Sequence, residues 1–108
     1  MHLRYAHRYP IQCPITLHSP GGHLVGEGTV RNVSTGGWKV DSDQPVQRGH
    51  YFALRVVLPD QAVPMTVDLA AVRWSSGRQF GLEFLRMQPE EQARLRRFVS
   101  TLETHTSH

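Results

Sequence analysis

The chain has 108 residues, enough to build one hydrophobic core but too few for two. Its net charge of +3, carried by eleven Arg and one Lys, does not by itself indicate a nucleic-acid-binding protein. No run of about eighteen apolar residues occurs, so no membrane-spanning helix is predicted. The N-terminus has no hydrophobic signal-peptide core and Cys13, the only cysteine, has no disulfide partner, so we expect a cytoplasmic protein.

Six segments of the chain have strand character. Residues 1–9 show no strand periodicity and are predicted to form an N-terminal arm. Alternating apolar and polar residues, separated by turns rich in Gly, Pro and Ser, predict strands over 11–17, 24–33, 37–41, 51–58, 65–74 and 78–84. Pro14 indicates an edge or a bulge in the first strand. The fifth strand is apolar on both faces, which favours a central position, and it forms a β-hairpin with the sixth.

The only helical pattern covers residues 89–103. Pro89 fits the first helical position, and two glutamates follow at the positive end of the helix dipole. Apolar residues with helical spacing form one stripe: Leu95, Phe98, Val99 and Leu102. Six strands and one helix predict a single mainly-β domain over 1–108. The strands, over 11–84, form a closed or nearly closed antiparallel barrel, because closure removes exposed sheet edges.

A polar, glycine-rich break separates the second and third strands. In an extended segment Asn32 and Ser34 share one face, beside the adjacent glycines Gly36 and Gly37. An amide and a hydroxyl next to bare backbone could receive the polar edge of a planar ligand. Taken alone, the same residues also fit a plain strand-to-strand turn.

The N-terminal arm carries two arginines, Arg4 and Arg8, with the spacing R-x-x-x-R. A solvated basic arm would explain them. Arginine is also the side chain whose planar fork makes paired hydrogen bonds to phosphate and to the O6/N7 edge of guanine, and it stacks on flat rings. These residues would therefore suit an anionic guanine nucleotide.

Together, the two motifs resemble those of the PilZ domain family, which has R-x-x-x-R followed by [D/N]-x-S-x-x-G. Residues 72–74 and 81–84 also look like late strands of that family. The resemblance covers nearly the whole chain. It implies a six-stranded β-barrel with a C-terminal helix, and a non-enzymatic receptor for the bacterial second messenger cyclic di-GMP.

The resemblance also assigns roles to individual residues. Arg4 and Arg8 would bind phosphate and stack on, or hydrogen-bond to, a guanine. The second motif would contact a guanine edge through Asn32, Ser34 and Gly37, with Leu3, Gly36 and Trp38 as possible additional contacts. We expect the arm to become ordered over the ligand and to signal through a protein partner. Many family members have an Arg where this chain has Leu3, so we predict one ligand per domain.

No enzyme or metal site is expected. The seven histidines are scattered, and no pair has the i, i+4 spacing of a zinc-binding helix. Cys13 alternates with apolar residues, which favours a core position. Ser34 lacks the glycine that a nucleophile elbow places two residues before its serine, because Asn32 stands there. No cofactor is expected beyond the ligand itself.

Two other hypotheses remain open at this point. One is a PilZ-like interaction protein for pilus or motility assembly that binds no nucleotide, although such members typically lack the motif residues that this chain keeps. The other is a small basic barrel for single-stranded nucleic acid, which needs exposed aromatic side chains interleaved with basic ones. The aromatic residues that could contribute are Tyr5, Tyr9 and Tyr51.

Overall fold

The computed structural model describes residues 9–34, 37–59 and 61–106, with the backbone alone for 103–106. Six strands precede one helix: β1 Tyr9–His18, β2 Leu24–Val33, β3 Gly37–Asp41, β4 Tyr51–Val56, β5 Met65–Ser76, β6 Gln79–Arg86 and α1 Pro89–Thr106. The strands form a closed barrel in the order β1-β2-β3-β6-β5-β4, and every neighbouring pair is antiparallel. The predicted fold class is confirmed.

Alternation along the strands fills the barrel interior. In β4, for example, Phe52, Leu54 and Val56 are buried while the residues between them are more exposed. Cys13 also lies in the core, as its alternation with apolar residues predicted. β5 pairs with β4 and β6, but closure gives every strand two neighbours, so no strand of the barrel is more central than another.

The connections place the helix and the motif turn at the same end of the barrel. Because the strands alternate in direction, this end contains the start of β1, the 34–37 turn, the β4–β5 loop and the end of β6. Helix α1 follows β6 directly and packs against β5. Its apolar stripe joins the barrel core through Leu95, Phe98 and Val99.

Several element boundaries differ from the predicted ones. β1 begins at Tyr9, inside the segment predicted as the arm, because Tyr9 pairs with Val33 and its side chain is buried. β5 and β6 extend to Ser76 and Arg86, and α1 continues to Thr106. β4 ends at Val56, before the predicted residue 58. The hydrogen-bonded strands thus extend beyond the alternating sequence pattern in β5 and β6, and end before it in β4.

β1 contains two prolines, Pro10 and Pro14, and its pairing with β2 is irregular between them. The β1–β2 register shifts between Pro10 and Cys13, just before Pro14. Pro14 still contributes its carbonyl oxygen, which accepts a hydrogen bond from the N–H of Val57 at 3.1 Å. Pro14 does not mark a sheet edge, because β1 pairs with β2 and β4 and the barrel is closed. It pairs with Thr29 next to the irregularity and just before the β1–β4 ladder begins at Ile15, where no strand residue of β4 needs its missing N–H.

Candidate functional site

Ser34 closes the turn between β2 and β3. Its side chain is 3 % exposed, and its hydroxyl donates to the carbonyl oxygen of Gly37 at 3.1 Å. The same hydroxyl oxygen lies 3.2 Å from the N–H of Gly37 and accepts from it. The N–H of Ser34 also donates to the Gly37 carbonyl at 3.0 Å. The serine of the motif therefore ties the end of β2 to the start of β3.

Gly37 is required by the approach of β3 to β6. A Cβ built on Gly37 would overlap the backbone carbonyl oxygen of Leu82. Backbone atoms cannot move aside as a flexible side chain can, so any other residue here would push the two strands apart. The sequence suggested that the bare backbone at Gly37 would allow a ligand to come close. In the structure, strand β6 occupies that space.

Asn32 lies next to the point where the N-terminal arm enters the barrel. It is half-buried near the end of β2 and faces Pro10 of β1 in the register, while Val33 faces Tyr9. Arg8 directly precedes Tyr9 in the sequence. Arg4, Arg8, Leu3 and Gly36 lie outside the described residues, so their positions remain predictions.

Trp38 points into the core and not towards the surface. Its side chain is completely buried, and its ring packs edge-on against Phe84 with 4.6 Å between ring centroids. The structure therefore does not place Trp38 where it could contact a ligand outside the barrel. The reason is strand alternation: Gly37 and Lys39 occupy the outward positions on either side of it.

A row of outward positions extends from Asn32 across four strands. Asn32 pairs with Lys39, Lys39 with Gly81, and Gly81 with Trp74. The indole of Trp74 lies directly on Gly81, where any Cβ would overlap it, and it remains 39 % exposed. Neighbouring strands are about 4.8 Å apart, so the row is roughly 14 Å long.

Lys39 and Trp74 are possible site residues that the sequence did not indicate. Their alignment with Asn32 depends on strand register, and Gly81 is the one sequence signal that could have indicated an aromatic ring on the neighbouring strand.

Charged pairs surround this row. The Nε of Arg31 donates to Oδ2 of Asp41 at 2.6 Å, and this hydrogen bond lowers the pKa of the Asp41 carboxyl below its ordinary value of 3.8. Arg73 on β5 forms an ion pair with Glu83 on β6. Both pairs are partly exposed, although Oδ1 of Asp41 is itself buried.

The described residues contain no arrangement that suggests catalysis or metal binding. Among them, no group of three or more His, Cys, Asp and Glu side chains could hold a metal ion. Burial raises the pKa of the Cys13 thiol to about 11, which suppresses the nucleophilic thiolate. In the part of the chain that is described, no helix is long and apolar enough to cross a membrane.

The structure combines a closed six-stranded barrel and a C-terminal helix with an N-x-S-x-x-G motif between β2 and β3. These features together define one class of small β-barrel domain. The family profile described as "PilZ domain" matches residues 2–101. The chain belongs to the PilZ domain family.

Similar proteins include one curated sequence and several solved structures. The cellulose synthase catalytic subunit (UDP-forming) of Xanthomonas axonopodis pv. citri is 32 % identical over 92 residues, which is 83 % of this chain. The chain spans only 12 % of the length of that relative.

Three solved structures share the fold at low sequence identity. The PilZ domain of CeSA from a cellulose-synthesizing bacterium has a TM-score of 0.69 and 18 % identity, over 91 % of this chain and 99 % of that one. The Bacillus subtilis inhibitor of motility MotI/DgrA has a TM-score of 0.76 and 18 % identity, over 100 % and 55 %. The PilZ domain of Escherichia coli YcgR with c-di-GMP has a TM-score of 0.74 and 16 % identity, over 97 % and 95 %.

Proposed function

We propose that this domain is a non-enzymatic receptor for cyclic di-GMP. The observation that carries the proposal is the position of the second motif beside the entry of the arm, in a chain that belongs to the PilZ family. The PilZ domain of Escherichia coli YcgR, which shares the fold, was solved with c-di-GMP. Both motifs that the resemblance identifies are present here: Arg4, Arg8, Asn32, Ser34 and Gly37.

Covalent geometry brings the arginine motif within reach of the turn. Consecutive Cα atoms are 3.8 Å apart, and Arg8 is the residue before Tyr9, which pairs with Val33 of β2. Arg4 lies five residues before Tyr9 and could extend at most about 18 Å from it. Two guanidinium groups could therefore meet a phosphate next to Asn32, and we propose that the arm becomes ordered over the ligand.

We further propose that the ligand lies along the row from Asn32 to Trp74. Asn32 would hydrogen-bond a guanine edge, Lys39 would neutralise phosphate charge, and the indole of Trp74 would offer a flat surface for stacking. Stacking of a base on an aromatic side chain contributes about 1–3 kcal/mol. Ser34 and Gly37 then act by positioning: their hydrogen bonds and close packing hold the backbone on which Asn32 is displayed.

The first test is isothermal titration calorimetry with cyclic di-GMP. We expect micromolar or tighter binding, one ligand per chain, no comparable heat with GTP, and loss of binding in Arg8→Ala. Trp74→Ala should weaken binding by about 5- to 150-fold. Tyr51→Ala, which removes another exposed aromatic side chain, should leave the affinity unchanged.

Two buried serines provide a matched comparison. Ser42 makes two hydrogen bonds through its hydroxyl, to the Glu27 carbonyl and from the Gln44 N–H, as Ser34 does to Gly37. Ser34→Ala should weaken ligand binding at least about tenfold, because the connection that positions Asn32 loosens. Ser42→Ala should lower the free energy of unfolding by a comparable amount but leave the affinity for the ligand unchanged. Equal affinities for these two variants would contradict the positioning role.

The titration also separates the remaining hypotheses. No heat at high ligand concentration, with the protein folded, would favour a PilZ-like interaction protein that binds no nucleotide. Salt-dependent binding of oligonucleotides together with indifference to cyclic di-GMP would favour the nucleic-acid hypothesis. A stoichiometry of two ligands per chain would contradict the role assigned to Leu3.

A further inference from the structure

A concave surface, separate from the row between Asn32 and Trp74, lies between the end of β6 and helix α1. It encloses about 300 Å³, and we call it the β6–α1 pocket. Its apolar lining comes from both elements: Phe84, Leu85, Met87 and Leu95. Arg86 lines it from the strand and Arg96 from the helix. β6 continues for three residues beyond Glu83, which pairs with Gly37, so the pocket adjoins the motif turn.

The two arginines of the β6–α1 pocket have no acidic partner in the described part of the chain. The four ion pairs found there use other arginines: Arg31, Arg73, Arg78 and Arg94. Arg86 and Arg96 are both exposed, and neither forms an ion pair with a described carboxylate. The pocket thus presents two positive charges beside a partly apolar depression, which Gln92 also lines.

We propose that the β6–α1 pocket binds a segment of a partner protein that carries a bulky apolar side chain flanked by carboxylates. The volume is at the lower limit of ligand pockets and suits one large side chain. Arginine forms paired hydrogen bonds with carboxylates, and apolar anchors in such depressions dominate interface energies. This inference rests on the proposed function and deepens it, because it names the chemistry of the partner that receives the signal.

Charge favours a partner protein over two other possible occupants of the pocket, the N-terminal arm and a second copy of the chain. Residues 1–8 contain no acidic side chain, so the arm would bring Arg4 and Arg8 against two further arginines. A second copy of the chain carries the same net charge of +3, and four of its nine carboxylates already have arginine partners: Asp41, Asp43, Glu83 and Glu91. A partner that supplies its own acidic groups satisfies both constraints.

One aromatic contact connects the β6–α1 pocket to the motif turn. Phe84 lines the pocket and also packs edge-on against Trp38, which follows Gly37 in the chain. Ligand binding at the turn could therefore alter the position of a pocket wall. By thermodynamic linkage, any effect of cyclic di-GMP on partner affinity must be matched by an equal effect of the partner on affinity for cyclic di-GMP.

The test uses a panel of fluorescein-labelled hexapeptides that place one Leu, Phe or Trp between Asp and Glu residues. Fluorescence anisotropy with the full chain should give dissociation constants below about 1 mM for at least one member. Amide shifts in ¹⁵N NMR spectra should be centred on Leu85 and Leu95. Peptides with Asn and Gln in place of the acids should bind at least about tenfold more weakly.

Two double variants separate the pocket from general charge effects. Arg86→Glu with Arg96→Glu should weaken the best peptide at least about tenfold. Arg48→Glu with Arg55→Glu makes the same change in net charge at exposed arginines outside the pocket, and should retain the affinity. If the first variant is poorly folded, Arg86→Gln with Arg96→Gln provides the same comparison without charge reversal.

The outcomes for the β6–α1 pocket and for the receptor proposal are distinguishable. Absence of peptide binding at millimolar concentration, equal binding to the reversed variant, or shifts centred elsewhere would overturn the pocket proposal even if cyclic di-GMP binds. Peptide binding at the pocket without any binding of cyclic di-GMP would support the docking surface and contradict the proposed receptor function.

Discussion

At the scale of single residues, the motif turn depends on buried groups. Ser34 satisfies both backbone groups of Gly37, and Gly37 permits the contact between β3 and β6. A motif defined by its resemblance to a ligand-binding family therefore also contains structural requirements. Variants in it need a stability measurement beside every binding measurement.

Gly37→Ala should destabilise the protein by about 1–3 kcal/mol, because the added Cβ overlaps the Leu82 carbonyl oxygen and the strands must separate. Gly21→Ala is the control: its Cβ would lie 3.8 Å from the nearest atom, which is ordinary contact. Chemical denaturation of both variants measures the difference. Equal stability of Gly37→Ala and the wild type would show that the barrel does not need this close approach.

The Arg31–Asp41 pair predicts a dependence of stability on acid. Arg31 lowers the pKa of Asp41, so the folded state favours the carboxylate. This stabilisation is complete above 3.8, the ordinary pKa, and is lost as the pH falls through 3.8 towards the lowered value in the folded protein. Arg31→Ala should therefore be less stable than the wild type at about pH 7, and the difference should shrink at about pH 3.

Urea unfolding of both proteins at the two pH values measures this change. Arg73→Ala, which removes a more exposed ion pair, should cost only about 0–1 kcal/mol at neutral pH. A deficit of Arg31→Ala that stays constant from neutral to acidic pH would contradict the assignment of the lowered pKa to Arg31.

At the scale of secondary-structure elements, polar contacts hold α1 to the barrel alongside its apolar stripe. The carboxylate of Glu91 accepts a hydrogen bond from the N–H of Thr66 at 2.7 Å, at the start of β5. Arg94 donates to Gln61 and to the Val63 carbonyl oxygen, each at 2.6 Å. Arg94 has the helical position expected of a solvated arginine, yet it connects α1 to the β4–β5 loop.

Arg94→Ala should lower stability by about 2–3 kcal/mol, because charged hydrogen bonds to the loop and to Glu91 are lost from a side chain that is only 19 % exposed. Arg94→Lys should recover little of it, since one ammonium cannot replace a planar fork. Arg97→Ala on the exposed face of the same helix is the matched control. Thermal unfolding measures all three, and a similar loss for both alanine variants would contradict the bracing role.

At the scale of the whole molecule, barrel closure leaves no edge strand from which unfolding could begin gradually. Each of the six strands has a hydrogen-bonded neighbour on both sides. Helix α1 packs at the end of the barrel where the motif turn and the β6–α1 pocket both lie. Opening the core should therefore be a cooperative event that involves most strands.

Cys13 reports on this opening. Its thiol is 3 % exposed and burial raises its pKa to about 11, so the native protein should react very slowly with a disulfide reagent such as DTNB. The reaction rate should rise with urea in parallel with the unfolding equilibrium. A peptide containing the same cysteine is the reference, and a native rate close to that of the peptide would contradict the closed, cooperative barrel.

Local sequence predicted much of this molecule because alternation, turn residues and helical spacing act between near neighbours. These patterns predicted six strands, one terminal helix and a core position for Cys13. Asn32, Ser34 and Gly37 were selected through their resemblance to the family motif, and their part in ligand binding stays a prediction. The ends of the strands were predicted less well, since backbone pairing depends on the partner strand.

Only the tertiary structure decided which distant residues share a surface. Strand register placed Lys39 and Trp74 in one row with Asn32, and strand alternation turned Trp38 into the core. The return of the helix to the barrel end brought Arg94 to the β4–β5 loop and Arg96 to Arg86 across the β6–α1 pocket. These residues are separated in the chain by whole strands or turns. No local pattern of side chains specifies which of them come together in the fold.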